Sequence, residues 1–281
     1  MGIGDVVEVD RCLTIAQDIA DRLALPELQW NWGFTATTRA MIAGDLSGAE
    51  ELMARWHAVA MASGFSDAEP FTTAQTVAMV LMRGDVEPLV PVAEALLAED
   101  PDHYGVLVRI LAHLYVMSGR IDLAGQLLDG YAPKLLELPR DIIWLGGMLN
   151  WSDIVFACGR SNLASQLFEL IEPWADQACA PGMLVYIGPV SHALAELATL
   201  LGRLDDADRF FADAHEMNDR MGARYWCTRT DTAWAEMLAA RGGPGDTDRA
   251  RALLADAHAI ATANGYRIVE RDAEAALRGL G

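Results

Sequence analysis

The sequence predicts an all-α protein built from about six helix hairpins stacked side by side, and three observations carry that prediction. Six glycines, Gly44, Gly84, Gly119, Gly159, Gly202 and Gly245, recur at steps of 40, 35, 40, 43 and 43 residues. Five residues after each stands Ala49, Leu89, Ala124, Ala164, Ala207 or Ala250, small in five cases of six. Between the turns, apolar residues step by three and four, as Leu204, Ala207, Phe211, Ala214 and Met221 do. That spacing lines one face of a helix. A fixed step of this size marks a helical-repeat array (an α-solenoid), in which each hairpin buries its apolar side against its neighbours.

The elements follow in order. Residues 5–25 read as a helix without a hairpin partner, entering the array through Leu25-Pro26. Residues 27–265 hold the six hairpins. Each turn glycine follows a first helix, where a left-handed cap suits a residue without a side chain. Asp45, Asp85, Asn162, Asp205 and Asp246 stand where second helices should begin and could cap free N–H groups. Pro88 and Pro91 require the second helix of the second unit to start late or kink. Gly146, Gly147 and Pro189 predict bends in first helices. The stretch 182–202 is the most apolar, with the single charge Glu196, and reads as a buried helix rather than a membrane span. Residues 266–280 place Tyr266, Val269, Ala273, Ala276 and Leu280 on one face and Arg267, Glu270, Arg271, Glu274 and Arg278 opposite. That is a capping helix. The chain is thus expected to be one repeat domain over 1–281, closed at its C-terminus and continuing from an earlier segment at its N-terminus.

Composition limits the partners. Forty acidic against 21 basic residues leave a net charge of −19, which opposes direct contact with nucleic acid or an anionic membrane. Cys12, Cys158, Cys179 and Cys227 are widely spaced, as in a reduced, cytoplasmic protein. The N-terminus, with Asp5, Glu8 and Asp10, lacks a basic leader region. Eight tryptophans are many; Trp144 with Trp151, and Trp226 with Trp234, share helix faces and are expected to pack between hairpins.

No reactive constellation emerges. His215-Glu216-x-x-Asp219 has the spacing of a zinc motif without its second histidine. Gly242-Gly-Pro-Gly245 lacks the lysine of a phosphate loop and reads as a turn. Asp205-Asp206 suits a helix N-terminus, and no nucleophile elbow is present. Neither catalysis, a metal nor a cofactor is predicted.

The run 202–214, with Gly202, Ala207, Phe211 and Ala214, resembles the turn and second helix of a tetratricopeptide repeat; 159–171 is a weaker copy. The period is longer, and the early tryptophan of that repeat is mostly missing. The runs 195–224 and 234–246 resemble the C-terminal helical arrays of large actinobacterial regulators of the MalT-like kind. These couple a signalling-type P-loop ATPase to a LuxR-type DNA-binding domain or a class III nucleotidyl cyclase. The likeness is strong over 190–281. None of the family's ATPase, cyclase or helix-turn-helix motifs is present, so their activities do not carry over. The resemblance implies a right-handed superhelix with a concave wall. Positions ten and six residues before each turn glycine would line it: Phe34 and Thr38, Arg109 and His113, Leu149 and Asp153, His192 and Glu196. Counting from Gly242 adds Thr232 and Glu236, with Arg229 one turn earlier. The function implied is a non-catalytic scaffold for signal transduction and transcription regulation. It would bind a protein, a peptide or other domains of the parent regulator. The alternative is a sensor binding a small-molecule inducer, such as an oligosaccharide, in the groove.

Overall fold

A computed structural model describes residues 4–99, 104–135 and 137–280. Fourteen α-helices occur among them. Asp5 caps the first, α1 (Val6–Leu23), by accepting from the Glu8 amide at 3.0 Å. Pro26 opens α2 (Pro26–Ala43), where a missing N–H costs nothing. Helix α1 has a partner: it lies along α2, held by an Arg39–Asp10 ion pair at 2.7 Å and by Trp32 Nε1 donating to the Leu13 carbonyl at 3.2 Å.

The hairpins follow. Helix α2 pairs with α3 (Leu46–Ala62), and α4 (Ala68–Arg83) precedes α5 (Leu89–Glu99). Helices α6 (Tyr104–Met117) and α7 (Ile121–Leu135) pair next, then α8 (Trp144–Ala157) and α9 (Ser161–Ile171). Helices α10 (Val190–Leu200) and α11 (Leu204–Met221), then α12 (Arg224–Arg241) and α13 (Asp246–Asn264), complete the series before α14 (Arg267–Gly279). First helices also touch one another, α6 to α8, α8 to α10 and α10 to α12, so they form one wall. Ala49, Ala124, Ala164, Ala207 and Ala250 are fully buried between the helices of their hairpins. Any larger side chain there would push the helices apart.

Turn chemistry departs from expectation in detail. The glycines are left-handed as predicted, and after the first five the next residue closes the Schellman bond, as Arg203 N–H does to the Ala198 carbonyl at 2.9 Å; Gly245 instead precedes α13, and Gly242 ends α12. Only Asp45 then caps its helix from the N-cap position, accepting from the Gly48 amide. At α9 and α11 the N-cap residues are Arg160 and Arg203, which leaves Asn162 and Asp205 inside the first turn. Their side chains reach the preceding hairpin: Arg160 pairs with Asp129 at 2.8 Å, and Arg203 lies 4.3 Å over the Phe168 ring. Asp246 is the first residue of α13 and accepts from Gly243 N–H and from Arg241. The prolines delay α5 to Leu89, leaving Asp85 in the turn, where it pairs with Arg267.

The apolar stretch 182–202 is helical only from Val190, because Pro189 occupies the N-cap with extended backbone. Ahead of it, Ala178–Cys179 (β1) and Gly188–Pro189 (β2) form a two-stranded antiparallel ribbon. This excursion crosses to the N-terminal hairpins: the Leu184 carbonyl accepts from Thr38 Oγ1 at 2.6 Å and from Gln75 Nε2 at 3.0 Å. The hairpins at the two ends also meet. Met41, Ile42, Met79 and Met82 share one buried cluster with Met217, Tyr225, Trp226 and Tyr266. Gly44 makes that approach possible, since a Cβ there would stand 2.6 Å from the Tyr266 hydroxyl. The N-terminal hairpins and the ribbon therefore pack against the start of α12 and the helices that follow it. The accessible surface, 13009 Å², is close to the roughly 11,800 Å² of a compact protein of this mass.

The tryptophans pack as core: Trp151 stacks on Tyr131 at 5.2 Å, and Trp226 meets Tyr186 and Tyr225 edge-on. The cysteines are all free thiols, and only Cys12 is exposed. Among the described residues, no helix is long and apolar enough to cross a membrane.

Candidate functional site

The wall formed by α6, α8, α10 and α12 buries an unusual amount of charge. Asp153 on α8 and Glu196 on α10 are 8% and 5% exposed. Arg229 on α12 answers both, with Nη2 at 2.8 Å from Asp153 Oδ2 and 3.9 Å from Glu196 Oε1. One turn before Glu196 on α10, His192 places Nε2 3.3 Å from Glu196 Oε1. Its Nδ1 lies 3.1 Å from Thr230 Oγ1. From there the network runs on through Asn218, which donates to Thr230, to the Tyr186 hydroxyl. On the other side His113 Nδ1 lies 4.0 Å from Asp153 Oδ2, and Arg109 donates to Asn150 Oδ1 at 2.8 Å.

The electrostatics are those of a dry site. Burial lifts the Asp153 carboxyl above the usual carboxylate range against the pull of Arg229, and the adjacent Glu196 adds to the rise. Burial also opposes the charge on Glu196, but His192 and Arg229 hold it down, at about 2. Burial lowers His113 to about 4, with Asp153 offsetting only part, so at neutral pH its ring is uncharged. Arg229 is partly exposed, its guanidinium 5.2 Å from the Trp226 ring centroid.

The eleven wall positions read from the sequence divide. Arg109, His113, Asp153, His192, Glu196 and Arg229 come together here. Phe34 packs among Trp30 and Phe71, Leu149 lies in the core, and Thr38 holds the Leu184 carbonyl. Thr232 bonds back to the Thr228 carbonyl, and Glu236 is exposed on α12. Thr230, Asn218 and Tyr186 were missed, being ordinary polar residues without a motif. Glu196 itself was the available signal: a lone charge in a long apolar stretch must find a partner, and His192 stands four residues before it.

Asp153, His192 and Glu196 each offer a donor atom lying within 4.8 Å of the others, so these three could hold a cation. The His215-x-x-x-Asp219 pattern does something else. His215 Nδ1 lies 2.6 Å from Asp231 Oδ1, tying α11 to α12, while Glu216 and Asp219 face solvent. Two open surface depressions, one beside Asp208 and Arg249 and the other beside Ile15 and Asp18, lie away from the buried cluster. No protein-family model matches the chain, and no curated protein matches it.

Proposed function

We propose that the chain is a non-catalytic interaction and regulatory module, a right-handed tetratricopeptide-like superhelix working in the cytoplasm as part of a larger ATPase-linked regulator. The observation that carries this reading is the outer face of α1. Val7, Ile15, Ile19 and Leu23 share one ridge at multiples of four residues and are 79%, 46%, 38% and 56% exposed. A ridge of this kind fits the apolar face of another helix. Asp18 and Asp21 flank it, favouring a partner helix edged with Lys or Arg. At the other end α14 turns Arg271, Glu274 and Arg278 outward, as a closing helix does. The test begins upstream of the Met1 codon. An open frame encoding a P-loop ATPase supplies the partner, and its affinity for this array should fall at least tenfold in Ile15→Asp/Ile19→Asp. A stop codon there, or unchanged affinity, removes this reading.

A second reading, an inducer sensor, is favoured by the convergence of Arg109, His113, Asp153 and Arg229 on one wall. It requires one ligand class to raise the melting temperature, and that rise to vanish in Arg109→Ala/His113→Ala.

A further inference from the structure

We propose that Asp153, His192 and Glu196 form a site for a divalent transition-metal ion of the zinc class, with water completing the coordination. Three observations meet at this point. The donor atoms of the three residues lie within 4.8 Å of one another, and His113 Nδ1 is 4.0 Å from Asp153. Tetrahedral bonds of about 2.0 Å place ligand atoms about 3.3 Å apart, so closure onto an ion needs a contraction of up to about 1.5 Å.

The polar atoms are also left over. His192 Nε2, Glu196 Oε2 and His113 Nδ1 are buried without a hydrogen-bond partner, although His192 and Glu196 are only 3% and 5% exposed. Buried polar groups in native proteins are nearly always bonded, and a purely structural network would end on satisfied atoms. Asp153, His192 and Glu196 offer nitrogen and carboxylate atoms close to one another, with His192 Nε2 and Glu196 Oε2 lacking an aligned hydrogen bond, and a cation would satisfy them.

The third observation is Arg229. It supplies the positive charge the carboxylates require, from 2.8 and 3.9 Å, and unlike the carboxylates it has a way out. It is 23% exposed and already lies over the Trp226 ring. An arriving ion would take its place between Asp153 and Glu196, and the guanidinium would withdraw over the indole. Imidazole with carboxylate donors suits zinc, cobalt or nickel better than calcium or magnesium, which take oxygen alone. The ion would cross-link α8 and α10 and stiffen the wall on which the hairpins stack.

The test uses the full chain, stripped with chelator and dialysed. Zn²⁺ binding is followed by calorimetry and by bound metal per chain, and Co²⁺ by its visible absorption. The proposal expects one equivalent, a Co²⁺ spectrum of tetrahedral intensity, and at least about 100-fold weaker binding in Asp153→Asn and in His192→Gln. Circular dichroism establishes that each variant is folded, and Glu196→Gln serves if one is not. His215→Gln, outside the cluster, should bind like the wild type. Absence of binding at free metal up to about 100 μM, far weaker than structural zinc sites bind, overturns the proposal. So does binding that survives in the folded cluster variants or is lost in His215→Gln.

Discussion

Arg229 is the residue on which the interior balance depends. Two buried carboxyls face it, and removing one member of a buried ion pair leaves an uncompensated charge that costs about 3–5 kcal/mol. Arg229→Met should lower unfolding free energy in urea by that amount; a loss below about 1 kcal/mol would mean the carboxyls are neutralised some other way. His215 makes a second, pH-dependent prediction. Its hydrogen bond to Asp231 raises its pKa above the ordinary histidine value, with burial opposing. Stability from this pair is fully present below about pH 6.5 and lost as pH rises through the higher folded value. The melting-temperature gap between wild type and His215→Gln should therefore be wider at pH 5.5 than at pH 9.5. A gap that widens toward alkaline pH would contradict the pairing. Neither partner was legible from sequence, because Asp231 lies on another helix and only the fold brings it to His215.

At the scale of the element, the repeat is written in the chain by two residue types. Glycine reverses direction after each first helix, and alanine five residues on lets the next helix close. Ala207→Leu should cost about 1–3 kcal/mol by overpacking the hairpin of α10 and α11, measured by urea unfolding. Leu89, which already breaks the small-residue pattern at the delayed start of α5, should tolerate Leu89→Met with less than about 1.5 kcal/mol. An equal cost at both sites would dissolve the claim that the alanines set helix spacing. Local signals of this kind were readable because a turn and its cap involve neighbours in sequence. The N-caps misled for the same reason: aspartate is a good cap in isolation, but at α9 and α11 an arginine that also grips the preceding hairpin occupies that place. The ribbon at 178–189 was unreadable, since the Leu184 carbonyl between its strands is held by Thr38 and Gln75, more than a hundred residues away.

Across the whole molecule, the array does not present a bare concave wall. The ribbon covers part of it, and the hairpins from both ends join in one cluster around Tyr266 and Met41. Wall positions obtained by counting back from the turns found six members of the buried ionic cluster, because they share a helix face. Counting could not reveal that the chain's own ends would press against that wall, which depends on contacts such as Asp85 with Arg267. On the proposed reading, a partner would dock on the exposed ridge of α1. Small-angle X-ray scattering on the isolated chain tests this closure most directly. A closed array of this length should give a radius of gyration of about 19 Å, the value for a compact domain. A radius above about 24 Å, beyond that compact scaling, would mean that the ends stand apart, the wall is open and the account of this protein is wrong at its largest scale.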